Sequence, residues 1–157
     1  MQFEWLIIDG YNLLHQDPEL VQMLLTADIQ GARHRLVRRI EATALGMAHQ
    51  TTIVFDGREA GSDDALTSKH LEVFFSPGNL SADSIIERLV CKFPTPGKIL
   101  VVTSDHAEHD TVSSAGAHTM SSEEFMIRCE RESKKKIGKR TPPGQEPRLG
   151  DLFPSGL

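Results

Sequence analysis

Trp5-Leu6-Ile7-Ile8-Asp9-Gly10-Tyr11-Asn12-Leu13-Leu14 is the stretch on which the reading of the fold turns. Trp5 to Ile8 is a continuous apolar run that stops at a carboxylate followed by glycine. A strand wetted on one face alternates apolar with polar residues, whereas an unbroken run is how a strand buried on both faces reads. Gly10 lets the backbone turn sharply behind it. The same signature returns at Thr52-Ile53-Val54-Phe55, followed by Asp56, and at Ile99-Leu100-Val101-Val102, followed by Thr103-Ser104-Asp105. Leu71-Glu72-Val73-Phe74-Phe75 reads as a fourth strand and Ala117-His118-Thr119-Met120 as a weak, short fifth.

Helical spacing fills the intervals. Leu36, Ile40, Ala44 and Met47 form one stripe within Ile29–Met47, and Ile85, Ile86, Leu89, Val90 and Phe93 another within Ala82–Phe93. Strands alternating with helices imply βαβ crossovers, hence an α/β fold: a three-layer sandwich around a central, mainly parallel sheet. The punctuation agrees. Gly57 to Ser68 reads as a polar loop, Ser76-Pro77-Gly78-Asn79 as a turn, and Pro94-Thr95-Pro96-Gly97 as a stop between helix and strand. From Gly138 onward Pro and Gly are too dense for a helix and apolar residues too sparse for a core. The expected division is one folded domain over 1–137 and a flexible, basic, Pro/Gly-rich tail over 138–157.

A chain of 157 residues with 39% apolar and 25% charged side chains suits one packed domain. No apolar run approaches the roughly 20 residues that cross a bilayer, and the first ten residues lack the pattern of a secretory signal. Cys91 and Cys129 have no partners at zinc-site spacing and read as core thiols in a cytoplasmic protein. The net charge of −5 conceals an asymmetry: residues 1–127 hold 9 basic and 18 acidic side chains, 128–148 hold 8 and 3. Arg33, Arg35, Arg38 and Arg39 form a second basic cluster, so a polyanion could be held at the edges of an acidic body.

The carboxyl ends of parallel strands lie on one edge of a sheet, where ligands bind. Asp9, Asp56 and Asp105 should therefore converge, joined by Asp83 in the first turn of the following helix, with Glu87 one turn behind as the weakest member. Two negative charges about 4 Å apart repel by roughly 4 kcal/mol at an effective dielectric near 20, so such a cluster needs protons or a divalent cation. Asp side chains suit a hard, oxygen-ligated ion, Mg²⁺ or Mn²⁺. Such a site activates water and holds phosphate oxygens, the chemistry of phosphodiester hydrolysis. Asn12 could aim an amide at the phosphate, orient Asp9, or cap a turn; Ser104 and Thr103 could bind phosphate or cap the helix after Asp105. His106 and His109 lack a third ligand and read as surface or substrate-side groups, and Asp63 and Asp64 as solvated loop residues.

Asp9-Gly10-Tyr11-Asn12-Leu13, Val54-Phe55-Asp56, Ser81-Ala82-Asp83-Ser84-Ile85-Ile86-Glu87 and Val102-Thr103-Ser104-Asp105 resemble, in order, the motifs of the YacP-like NYN domains, and Gly116 to Phe125 resembles their closing segment. The resemblance spans most of residues 3–131. It implies a PIN-like fold and a metal-dependent endoribonuclease in which Asp9, Asn12, Asp83 and Asp105 are the catalytic set, Asp9, Asp83 and Asp105 hold the Mg²⁺ or Mn²⁺, and Asp56 binds the metal through water or orients a ligand. It also implies RNA as partner, and for bacterial relatives action on messenger RNA at the ribosome. On this reading Asn12 and Ser104 position the phosphate, while Arg33, Arg38, Lys134 and Lys135 hold the RNA backbone. Gly57-Arg58 and His109 depart from the family pattern and bear on substrate details. The alternative is a PIN-like module that grips RNA or the ribosome without cutting. A phosphoacceptor domain would want a lysine after the last sheet strand, where Thr103-Ser104-Asp105 stands, and a dinucleotide-binding domain would want GxGxxG after the first.

Overall fold

The computed structural model describes residues 2–57 and 67–140, the side chains of 136–140 excepted. Most of the polar loop expected after Gly57, with Asp63 and Asp64, and the tail from 141 onward lie outside the described residues. Five strands form one sheet: β1 (Phe3–Asp9), β2 (Ala48–Phe55), β3 (Leu71–Phe75), β4 (Ile99–Val102) and β5 (His118–Met120). Their order is β3-β2-β1-β4-β5, and every pairing is parallel. The sheet is thus wholly parallel, and the unalternated runs are buried as their pattern requires: all of β4 and the last five residues of β2 are buried.

Seven helices are described: α1 (Gly10–Leu14), α2 (Pro18–Leu25), α3 (Ile29–Met47), α4 (Ala82–Lys92), α5 (His106–Ser114) and α6 (Ser122–Arg140), with a 3₁₀ turn at Pro96–Lys98 as the seventh. One face of the sheet, carrying Ile7, Val54, Ile99 and Val101, packs against Ile85, Ile86 and Val90 of α4 and Val112 of α5. α3 covers the other with a buried stripe of Leu36, Val37, Ile40 and Ala44. Each fully buried Leu, Ile or Val contributes about 1.5–3 kcal/mol relative to an exposed one. That reserve lets the sheet edge carry unfavourable charge. No described helix is long and apolar enough to cross a membrane.

The chain divides into two compact units, 1–126 and 127–157, so the boundary falls inside α6. α6 also runs to Arg140, three residues beyond the expected domain end at 137. The short helices α1 and α2 are additions to the sequence pattern, although α2 has the signals of a helix start: Asp17 Oδ1 accepts from Glu19 N at 2.9 Å, and Pro18 stands at the first helical position. Cys91, expected in the core, is exposed on α4; Cys129 is buried, and both are free thiols.

β1 is the central strand. The sequence moves outward from it to β2 and β3, then returns to β4 on its other side, which makes the space beyond β1 and β4 the switch-point crevice of an open parallel sheet. Gly10 is required there by a close approach: a Cβ would overlap the ring of Phe55, so the chain leaving Asp9 lies directly on β2. Gly10→Ala should therefore lower stability by about 1–3 kcal/mol through overpacking. Gly46→Ala, in open space on α3, should alter it by less than about 1 kcal/mol and in the stabilising direction. Denaturant unfolding of the two variants checks the contrast, and equal effects would refute the packing account.

Candidate active site

Asp9 ends β1 and is buried, at 9% exposed. Its neighbours across the strands are Val54 and, one step earlier at Ile8, Val102, so the loops after β2 and β4 flank it on both sides. Asn12 N donates to Asp9 Oδ1 at a long 3.5 Å, the cap of α1. α4 reaches the same edge through a tie at its approach. Ser76 Oγ donates to the carbonyl of Leu80 (2.9 Å) and accepts from Gly57 N (3.1 Å), linking the end of β2 to the turn before Asp83. Gly57 has no room for a side chain, since a Cβ would strike the Ser76 carbonyl oxygen. Ser81 Oγ then caps α4 by accepting from Ser84 N at 3.2 Å.

Three carboxylates meet there. Oxygens of Asp9, Asp83 and Glu108 lie within 4.8 Å of one another. Glu108 stands in the first turn of α5, which packs beside α4 on the same face of the sheet. It is 1% exposed, and among the described residues neither carboxylate oxygen has a hydrogen-bond donor. Two charges at the outer limit of that separation repel by about 3 kcal/mol at an effective dielectric near 20. The first turns of α4 and α5 offset only about 0.3–1 kcal/mol each through their dipoles. Protonation is the remaining relief without a cation. Burial first, then a hydrogen bond that protonated Glu108 can make to Asp83, then the charges of Asp83, Asp9 and Glu87 push the Glu108 pKa up to about 10. Burial and the charge of Asp83, with smaller contributions from Asp105 and Asp56 and partial relief from Asn12 N, raise Asp9 to about 7.

This donor set fits a divalent cation. It is all oxygen and anionic, and its most buried member lacks any donor, the situation an ion resolves. Asp9 and Asp83 stand where the sequence places them, and Glu108 is the member that sequence reasoning passed over. Asp105 lies close enough to raise Asp9, yet its Oδ1 caps α5, accepting from Ala107 N (2.9 Å) and Glu108 N (3.2 Å). Asp105 and Asp56 are not in the tight trio. Thr103 Oγ1 accepts from Asp105 N at 3.1 Å, so it shapes the loop. His106 and His109 are exposed outside the trio.

Asn12 Oδ1 accepts from Ser104 N at 2.8 Å and from Ser122 Oγ at 2.6 Å. This joins the start of α1 to the loop after β4 and the start of α6. The arginines of α3 divide. Arg33 is buried at 4% exposed, lies over Phe55 and Phe75 at 5.9 and 5.1 Å, and donates to Tyr11 Oη at 3.4 Å. Arg39 pairs with Asp17 and Glu19, and Arg35 with Glu19. Arg38 is exposed, as are Lys134 and Lys135 in the second unit.

The model of the YacP-like NYN domain matches the chain over residues 6–151. Two crystal structures of Rae1 (YacP) from Bacillus subtilis are similar to it. One has a TM-score of 0.69 at 26% identity, covering 97% of this chain and 88% of that one. The other, of a mutant form, has a TM-score of 0.67 at 24% identity, covering 98% and 100%. No curated protein matches.

Because Asp9 and Glu108 carry folded pKa values above their ordinary ones, the folded chain holds protons that the unfolded chain has released. Their contribution is full below about pH 4 and is lost as pH rises through about 7 for Asp9 and toward 10 for Glu108. In a chelator, Glu108→Gln should therefore melt increasingly above wild type as pH is raised from 5 to 9. It should also lose most of the stabilisation that Mn²⁺ confers on wild type. Parallel melting curves with and without Mn²⁺ check both, and a wild-type advantage that grows with pH in chelator contradicts the assignment.

Proposed function

We propose, from the premise that this chain belongs to the YacP-like NYN domain family, that it is a divalent-metal-dependent endoribonuclease hydrolysing RNA phosphodiester bonds. The observation that carries the proposal is the meeting of Asp9, Asp83 and donorless Glu108 at the carboxyl edge of a PIN-like α/β sandwich. Those three residues would hold Mg²⁺ or Mn²⁺, which when bound supplies Lewis acidity to the phosphate and lowers the pKa of water. Asp56 and Asp105 add negative charge around that position. Asn12, its Oδ1 committed to Ser104 and Ser122, presents its Nδ2 donors, and Ser104 its exposed hydroxyl, toward a scissile phosphate. Hydrolysis adds water across the bond to the 3′ oxygen, leaving 5′-phosphate and 3′-hydroxyl ends.

Arg38, Lys134 and Lys135 would bind backbone phosphates, giving affinity without choice of sequence. Arg33 takes a different part from the one its sequence position suggests: it is packed under Tyr11 and secures the segment behind Asp9. Messenger RNA at the ribosome, in the cytoplasm, is the narrower form of the proposal and is supported by the family resemblance.

Asp9→Asn, Asp83→Asn and Glu108→Gln should each cut Mn²⁺-dependent cleavage of a single-stranded RNA by at least about 100-fold, in keeping with loss of a preorganised electrostatic group. Their metal-free melting temperatures should equal or exceed wild type. Denaturing gels with a chelator control read the outcome. A gel shift without fragments from wild type would establish a binding module instead.

A further inference from the structure

We propose that Ser122 is a positioning residue for this site, acting by locking the Asn12 amide in one orientation; the proposal rests on the reading that the site engages a phosphate. A side-chain amide has two orientations that exchange its oxygen and nitrogen. Ser104 N is a backbone donor and can never accept, so at 2.8 Å it requires Oδ1 to face it. The Ser122 hydroxyl donates to the same oxygen at 2.6 Å, and Ser122 is wholly buried, with no solvent to take that proton instead. Two donors on Oδ1 turn Nδ2 the other way. Among the described residues no bond is made to Nδ2, and Asn12 is half-buried rather than sealed, so the Nδ2 protons are available to a ligand.

Ser122 sets a second group as well. Its N–H donates to Ser104 Oγ at 3.0 Å. Ser104 Oγ is thereby the acceptor in that bond, which leaves its own proton to donate elsewhere, and Ser104 is exposed. One buried serine thus orders two donors, one on the segment after β1 and one on the loop after β4, which flank Asp9. Helix capping does not account for the Ser122 hydroxyl. Ser121 Oγ performs that service for α6, accepting from Glu124 N at 3.0 Å, while the Ser122 hydroxyl reaches a side chain 110 residues away in sequence.

The test uses the full chain as wild type, Ser122→Ala, Ser122→Thr and Asn12→Asp. The last keeps an acceptor for Ser104 and Ser122 but removes the Nδ2 donors. With a short single-stranded RNA and Mn²⁺, Ser122→Ala should lower kcat by roughly 10–100-fold with KM within about threefold, the scale seen when supporting partners of site groups are removed. Ser122→Thr should recover most of that loss, and Asn12→Asp should be at least as impaired as Ser122→Ala. In ¹H–¹⁵N spectra the Asn12 side-chain amide pair should shift in Ser122→Ala and return in Ser122→Thr. The proposal is overturned by wild-type kcat in Ser122→Ala, by a loss no larger than the fall in folded fraction, or by an Asn12 amide signal that stays in place. A wild type that cuts no RNA sinks the cleavage reading alone, and the amide spectrum then decides the role of Ser122 by itself.

Discussion

A carboxyl sealed from water, with no donor at either oxygen among the described residues, is the constraint on which the site depends. Glu108 is held there by packing between α4 and α5, and its nearest polar company is Asp83 and Asp9, which worsen its position when ionised. Its pKa, pushed up to about 10, keeps it protonated at neutral pH; ionising it there without a cation would cost several kcal/mol, a large share of the roughly 5–15 kcal/mol by which a domain is stable. The apolar interior fixes the surroundings of that carboxyl, with all four residues of β4 buried and α3 laid along the opposite face. A carboxyl held neutral by burial beside two other carboxylates is the feature that the metal-site reading rests on.

Placement follows from topology and then from three local ties. A wholly parallel sheet delivers the ends of β1, β2 and β4 to one edge, and the reversal of direction at β1 opens the crevice there. The ties act where topology alone leaves slack. Ser76 joins the end of β2 to the approach to α4; Asn12 joins the start of α1 to the loop after β4 and the start of α6; Asp105 clamps the first turn of α5 and with it Glu108. Gly10 and Gly57 fit the same pattern, since in each case a neighbouring group occupies the space of a Cβ. Polar side chains in this region bond to backbone more than to one another, and backbone donors do not flip or titrate. That gives the carboxylates a rigid frame although their own charge states vary with pH.

Much of this was legible in the residues. Unalternated runs ending in aspartate announced buried parallel strands, and the strand end at Asp9 with the first helical turn at Asp83 brought two of the trio to one edge, whereas Asp56 and Asp105 at the other strand ends stand outside it. Strand order was not legible, because an apolar run carries no label for its neighbours. Glu108 was hidden by ambiguity: Asp105-His106-Ala107-Glu108 has the spacing of a capping box, in which the glutamate reaches back to the cap's own N–H. Here Thr103 Oγ1 takes that N–H and leaves the glutamate free to turn inward, a difference no local pattern records. Arg33 misled in the opposite sense. Its neighbours in sequence suggest a phosphate-binding stripe, but helical geometry turns Arg33 toward Phe55 and Phe75 while Arg35 and Arg38 face water.

The fate of those arginines bears on how a polyanion could approach. Four positive charges within seven residues would form a strong attractor if all were available, yet Arg33 is buried under Tyr11, and Asp17 and Glu19 of the α2 region answer Arg35 and Arg39. Exposed ion pairs are worth about 0–1 kcal/mol, so Arg35 can exchange a carboxylate for a phosphate at little cost. The acids nevertheless remain nearby and offset part of the helix's positive charge. A body with twice as many acidic as basic side chains over residues 1–127 then repels a polyanion overall. On the proposed function, attraction would come from exposed cations such as Arg38, Lys134 and Lys135, and discrimination from donors aimed at one phosphate. Long-range attraction is screened within about 8 Å at physiological ionic strength, whereas a short, oriented hydrogen bond from Asn12 or Ser104 is not. On the proposed function, affinity should therefore vary with salt far more than the geometry of engagement does.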